Sequence, residues 1–351
     1  MMQFQADLIE TPGPDDAVEL FFQKGWTDGL PVVPPTPQKV ERMLAATRRK
    51  PDEVLGPIPP KYCPATVEKL AINAVMAGCL PEYFPTVLAA FEALLAPEFN
   101  LNGVQTTAHI ACPLIIVSGP VVQKLGINAS WGVFGNGYRA NGTIGRAVAL
   151  GLWNLGGARP GETARKNQAH PGKWTYCIGE NNKESPWAPV HTDHGVPAEA
   201  SAVTVFGCES PHYVGAICES RAVMMTICDT LATLGNNNVV TMGQTLVALG
   251  AYHANQLARD GYSKQDVQHF IWEHARKPLG FIKTGGYYSL EKELNSWPKW
   301  VDRNNDDALV PIAYSPDDIH IVVAGGWGRN SSVCPGWGTF GGFMASREIK
   351  E

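Results

Sequence analysis

The sequence predicts an α/β protein, a mixed or parallel sheet covered by helices, with the option that it is built from two related α/β halves. Three observations predict this class. Four near-continuous apolar runs of strand length, Cys112–Ser118, Ala202–Gly207, Thr245–Leu249 and Ile319–Ala324, have the pattern of strands covered on both faces. Amphipathic helical stretches alternate with them, the hallmark of α/β architecture. The 351 residues are 44% hydrophobic and only 17% charged, which is a globular composition with chain enough for a large core.

The elements follow in order. Asp15–Lys24 reads as a short amphipathic helix. Leu30–Pro35 must be extended, because each proline fixes φ and disfavours helix before it. Thr36 is a good N-cap with Pro37 at the first helical position, so a helix should run to about Thr47. Ala65–Gly78 places Val67, Leu70, Ala71, Ala74 and Val75 on one face. Pro81–Leu95 is apolar almost all round, as a buried helix is. After the Cys112–Ser118 strand come a short helix ending at Gly126 and a Gly/Asn-rich loop to Gly142. A helix over Thr143–Leu155 is stopped by Gly156 and Gly157.

Residues 158–200 form a long polar segment, a length that usually signals function or a linker. The second half opens with the strand from Ala202, followed by a helix over Arg221–Leu234. The strand Thr245–Leu249 comes next, then a helix from Ser263 to about Arg276 with Asp266 completing a capping box. The expected organisation is therefore a half over 1–157, a polar connector over 158–200 and a second half over 201–351. The segment from Leu114 to Asn128 echoes that from Leu246 to Ser263, each reading strand, glycine turn, short helix. Two ordinary strand-to-helix turns explain this, and duplication is the alternative.

Charge and composition exclude several functions. With 28 Lys and Arg against 33 Asp and Glu, the net charge is −5, which argues against a nucleic-acid partner. No apolar stretch approaches the ~20 residues a membrane span needs. Met1–Pro12 has no basic start followed by an apolar run, so no signal peptide is expected and a cytoplasmic location is. The eight cysteines include no CxxC pair and read as free thiols. Cys112, Cys218 and Cys228 lie in apolar runs and read as packed core thiols. Cys63, Cys79, Cys177, Cys208 and Cys334 lie in loops or at element ends, where a nucleophile would sit.

Three segments could carry chemistry. The 36 glycines and 27 prolines exceed average usage and concentrate there. The first runs from Gly126 to Gly142 and holds Asn128, Asn136, Arg139 and Asn141, with Arg146 on the helix beyond. A glycine-rich loop opening a helix favours anions, and guanidinium groups add bidentate contacts. The second runs from Tyr176 to His194 and brings together Cys177, Glu180, Trp187, His191 and His194. The third runs from Gly325 to Gly338 with Ser331 and Ser332, at the C-terminal end of a strand where α/β proteins bind ligands. No nucleotide, flavin, haem or zinc-protease motif is present, so no cofactor is evident, and His191 with His194 would serve a divalent metal only with further ligands.

Four stretches together, Asp28–Pro37 (DGLPVVPPTP), Thr66–Cys79 (TVEKLAINAVMAGC), Asn141–Ala147 (NGTIGRA) and Glu180–His191 (ENNKESPWAPVH), resemble a family of uncharacterised bacterial proteins of about this length. Its members are often encoded beside small selenoproteins or thiol proteins with a UGSC or CGSC motif. The resemblance spans most of the chain. It implies a bacterial, cytoplasmic protein with a small thiol- or selenol-bearing partner, and it assigns no catalytic residue.

The leading expectation is an enzyme, of lyase or hydrolase type, acting on a small polar, anionic molecule by acid/base or thiol chemistry. Asn128, Asn136, Arg139, Asn141, Arg146, Trp187, Ser331 and Ser332 would bind substrate. Glu180 or His191 would move protons, and Cys79 or Cys177 would be the nucleophile. The alternatives are a redox subunit working with a thiol partner, a metal-dependent enzyme using His191 and His194, and a non-catalytic scaffold. A homo-oligomer interface could use the apolar helix Pro81–Leu95, which would equally suit the core.

Overall fold

A computed structural model describes residues 4–350; the first three residues of the Met1–Pro12 stretch lie outside the described residues. Its strands are β1 (Val54–Ile58), β2 (Cys63–Thr66), β3 (Cys112–Ser118), β4 (Cys177–Gly179), β5 (Ala202–Cys208) and β6 (His212–Gly215). They continue as β7 (Thr245–Leu249), β8 (Arg276–Pro278), β9 (Leu309–Pro311), β10 (Ile319–Val323), β11 (Asn330–Pro335) and β12 (Ala345–Glu348). Two four-stranded sheets result, in the orders β12-β5-β3-β4 and β10-β7-β11-β6, with β1-β2 and β8-β9 as separate ribbons.

The apolar runs explain the layering. In β3 and β5, Ile115, Val117, Val203 and Val205 face the helices Val67–Ala77, Phe84–Leu94 and Arg139–Gly151. Their alternate residues Leu114, Ile116 and Phe206 face the second sheet. In β7 and β10, Val247, Leu249, Ile319 and Ile321 face the helices Ser220–Leu231, Ala251–Arg259 and Lys264–His274. Leu246, Ala248, Val322 and Ala324 meet the first sheet in the shared middle layer. The fold is thus α/β with four layers, helix, sheet, sheet, helix. Strands apolar on both faces need a cover on each, and here each sheet covers the other.

Both sheets are mixed and share one pattern of strand directions. β3 runs parallel to β4 and antiparallel to β5, which is antiparallel to β12. β7 runs parallel to β10 and antiparallel to β11, which is antiparallel to β6. The units interleave along the chain. β4 falls inside the polar segment 158–200, and β5 and β12, both beyond residue 201, belong to the first sheet.

The remaining elements depart from the expected ones at their ends. Val67–Ala77 starts after Thr66, whose side chain accepts from the Lys69 N–H as an N-cap. The apolar stretch from Pro81 is a 3₁₀ turn, Pro81–Tyr83, followed by Phe84–Leu94, and its Phe84, Val87 and Phe91 lie in this chain's own core. The helix expected from Thr143 starts four residues earlier, at Arg139, and ends in a wider π turn over Leu152–Gly156. Ser263 and Asp266 form the expected capping box. Among the described residues no helix is long and apolar enough to cross a membrane.

Candidate functional site

The three glycine-rich and polar segments meet at one end of the molecule, beyond the C-terminal ends of β3, β4 and β10. The Asn181 N–H donates to Val323 O at 2.7 Å and the Gly325 N–H to Ala129 O at 2.9 Å. The Asn181 amide donates to Glu184 Oε2 at 2.7 Å, and the Trp327 indole N–H donates to Glu184 Oε1 at 2.8 Å. The Trp131 ring lies against Gly326, where any Cβ would strike it.

Within this meeting point most of the expected substrate-binding groups hold the loops themselves. Asn141 sits in the first turn of its helix and is buried. Its Oδ1 accepts from the Asn128 N–H at 2.7 Å, and its amide donates to Asn128 O at 3.0 Å and Cys177 O at 3.2 Å. The Asn128 side chain bonds Trp131 O and the Ser130 N–H. Ser331 is buried on β11, bonded to His253 Nδ1 at 2.8 Å, and Ser332 is half-buried beside it. Trp187 packs on the second helical layer. Asn136 is exposed.

The two arginines are committed as well. Arg139 donates to Gly78 O at 2.9 and 3.2 Å, and Arg146 clamps Asp28 through two bonds of 2.8 and 2.9 Å. Burial alone would push the Asp28 carboxyl up, but the Arg146 hydrogen bonds and charge outweigh it and hold it below the usual value.

Glu180 is fully buried just past β4 and accepts the Val190 N–H at 3.0 and 3.1 Å. Burial pushes its carboxyl up to about 7, against the pull of the Ser118 hydroxyl, the Val190 N–H, Lys264 and Asn182. Beside it His191 donates from Nε2 to Pro197 O at 3.0 Å, and its Nδ1 has no partner among the described residues. The His194 ring lies tilted by 42° against His320 of β10 with centroids 5.6 Å apart, and the Nε2 of each is buried without a partner among the described residues. Burial, with His194 and Lys264 nearby, pushes His320 down to about 3. Lys264 is paired to Asp193 at 2.5 Å. Among the described residues no three His, Cys, Asp or Glu side chains come together as a metal-holding set.

The two expected nucleophiles, Cys79 and Cys177, are core thiols, as Cys112 is. Cys79 donates to Thr143 O at 3.2 Å, and burial pushes it up to about 12. Cys177 faces the first helical layer, and burial raises it as well. Cys218, expected in the core, is exposed.

A thiol with a base-bearing neighbour lies elsewhere, at the opposite end of β3, about 20 Å from Ser118 by the rise of a strand. Cys112 Sγ is 3.0 Å from His170 Nε2. His170 Nδ1 accepts the Gly172 N–H at 3.1 Å, so in the neutral ring the hydrogen sits on Nε2, between the Cys112 sulfur and the Cys208 carbonyl. Cys112 lines a narrow cleft of about 40 Å³ together with Asp28, Gln105, Trp153, Lys173 and Tyr176. That is room for a few heavy atoms.

Lys173 and Gln105 line the cleft, Lys166 lies near Cys112, and Arg159 lies on the Trp153 ring of the cleft wall. Lys166 donates to Val104 O at 2.6 Å and His109 O at 3.2 Å, and burial brings it down to about 7. Burial lowers Lys173 too. Gln105 is 1% exposed and its Oε1 has no partner among the described residues. Arg159 stacks on Trp153 at 3.7 Å with its Nη1 buried and likewise unpartnered among them. Burial pushes the Cys112 thiol up to about 12, while Lys173 and Lys166 pull the other way.

Sequence reading missed this centre. Cys112 is the packed core thiol expected from its apolar run, 0% exposed; what the sequence did not show is its contact with His170, 58 residues away. The usable signal was His170 and Lys173, close together in a polar segment too long for a plain connector. No protein-family model matches the chain, and no curated protein is significantly similar to it.

Proposed function

We propose that the protein is an enzyme of lyase or hydrolase type whose reacting group is the Cys112 thiol and whose substrate is a small anionic molecule. The observation that carries this reading is the 3.0 Å contact between Cys112 Sγ and a His170 N–H at the wall of a lysine-flanked cleft. A thiolate is the nucleophilic form of cysteine, and it gains from a hydrogen-bond donor and from nearby cations. In this reading His170 Nε2–H holds the sulfur anion. Lys173 draws the anionic substrate into the cleft. Lys166, held on the Val104 and His109 carbonyls, adds a second nearby charge that favours the sulfur anion. Gln105 offers an unmet acceptor to the substrate.

Alkylation of the intact protein tests the reading without knowledge of the substrate. Negatively charged iodoacetate should modify Cys112 about tenfold faster than neutral iodoacetamide, as a cationic site concentrates an anion. Lys173→Ala should remove that preference. Equal or reversed rates at Cys112 would sink the proposal.

A second reading places the chemistry at Glu180, whose carboxyl titrates at about 7, the range suited to a general acid or base. It predicts activity that survives Cys112→Ala and is lost in Glu180→Gln, the reverse of the first reading.

A further inference from the structure

The end of the middle layer that holds Cys112 holds two more thiols. Cys112 on β3 lies directly across from Cys208 on β5 in the antiparallel register. Both point into the middle layer, as does Cys334 of β11. The Tyr176 hydroxyl donates to Glu209 O at 2.9 Å and stands 3.5 Å from Cys334 Sγ and 3.7 Å from Cys208 Sγ. Residues directly opposite in an antiparallel pair have Cα atoms about 4.5–5.5 Å apart, inside the range of about 4.4–6.8 Å that a disulfide spans. Their Cβ atoms, about 4.5–5.5 Å apart, need to close by no more than about 1 Å.

We propose that Cys112 and Cys208 are also a redox pair, giving the same thiol a second activity, the reduction of a small hydroperoxide. This rests on the reading of Cys112 as the reacting thiol. The cleft selects the substrate by size, since it admits a few heavy atoms and no protein disulfide. The Cys112 sulfur attacks the nearer peroxide oxygen. An S–O bond forms, the O–O bond breaks, and the departing hydroxide or alkoxide takes up the thiol proton as water or alcohol. Cys112 is then a sulfenic acid, oxidised by two electrons, and the peroxide is reduced by the same two. The His170 N–H beside the sulfur and the Lys173 charge on the cleft wall would stabilise the oxygen that leaves with negative charge. Cys208 Sγ next attacks Cys112 Sγ. The S–S bond forms, the S–O bond breaks, and the sulfenic hydroxyl leaves as water with the Cys208 proton.

The test treats the full-length reduced protein with one equivalent of hydrogen peroxide, quenches it, and maps cysteine peptides by mass spectrometry without reductant. A Cys112–Cys208 disulfide that dithiothreitol reverses is the expected product. Cys208→Ser should instead leave Cys112 as a sulfenic acid that dimedone traps, and Cys208→Ala gives the same readout should the serine variant fail to fold. Cys334→Ser should still form the disulfide. Thiols that stay free, or oxidation that goes first to the exposed Cys218, would overturn the proposal. Iodoacetate preference without disulfide formation sinks this inference alone. Disulfide formation without that preference sinks the anionic-substrate reading alone.

Discussion

Glu180 and His320 share one buried neighbourhood, both within the field of Lys264, and they titrate in opposite senses. Burial pushes the folded carboxyl up to about 7 from its ordinary 4.5. The native state therefore keeps a proton that the unfolded chain has released, and stability falls as pH rises through that window, by on the order of 3 kcal/mol. His320 titrates at about 3 against 6.5. Its native ring stays neutral where the unfolded one is charged, so stability falls as pH drops from 6.5 towards 3, by on the order of 5 kcal/mol. Glu180→Gln should flatten the loss above pH 5, and His320→Gln should move acid unfolding to lower pH. Urea midpoints measured across pH check both; curves parallel to the wild type would refute the assignment. At this scale residue types were legible and partnerships were not. Glu180 was singled out from its sequence neighbourhood, but nothing local announces that Cys112 meets His170. The Asn128 and Asn141 amides, which look like ligand groups in sequence, find each other only once the loop closes on the helix.

At the scale of elements, the helix Arg139–Gly151 shows packing overruling propensity. Its first turn is Arg-Ala-Asn-Gly, which reads as loop, yet the chain is helical there because Asn141 ties it to Asn128 and β4. Gly145 marks the closest approach. A Cβ on it would stand 2.9 Å from Tyr176 N and 3.2 Å from Cys177 Cβ, and would collide with the Thr175 hydroxyl. Gly145→Ala gains about 1 kcal/mol of helix propensity but forces the helix off the strand, so a net loss of about 2 kcal/mol is expected. Chemical denaturation measures it, and a stabilised variant would show the contact to be soft. The four apolar strands were legible because each is buried on both faces. β6, β8 and β12 are short and lie at the edges of their sheets, so they carry too few alternating residues for a pattern.

For the whole molecule, periodicity showed α/β alternation but not which strand pairs with which, and so it did not show two stacked sheets. The division near residue 200 follows composition, whereas the hydrogen bonds carry β5 and β12 back to β3's sheet. A fragment of residues 1–200 lacks both and leaves Leu114 and Ile116 uncovered. It should show no cooperative thermal transition, while the full chain should unfold in one step with coincident near- and far-ultraviolet circular dichroism. A cooperative transition in the fragment would mean that the first sheet stands without its cover. The interleaving also sets an order of events during synthesis. β5 leaves the ribosome early, but its outer neighbour β12 cannot pair with it until the intervening chain from 209 to 344 has been translated. For that interval the nascent protein presents an open strand edge beside an unsealed apolar face, the kind of surface that chaperones bind and that other nascent chains can join. Crowded polysomes should therefore be the setting in which this protein is most prone to aggregate, and a stop codon just before residue 345 would make the exposure permanent.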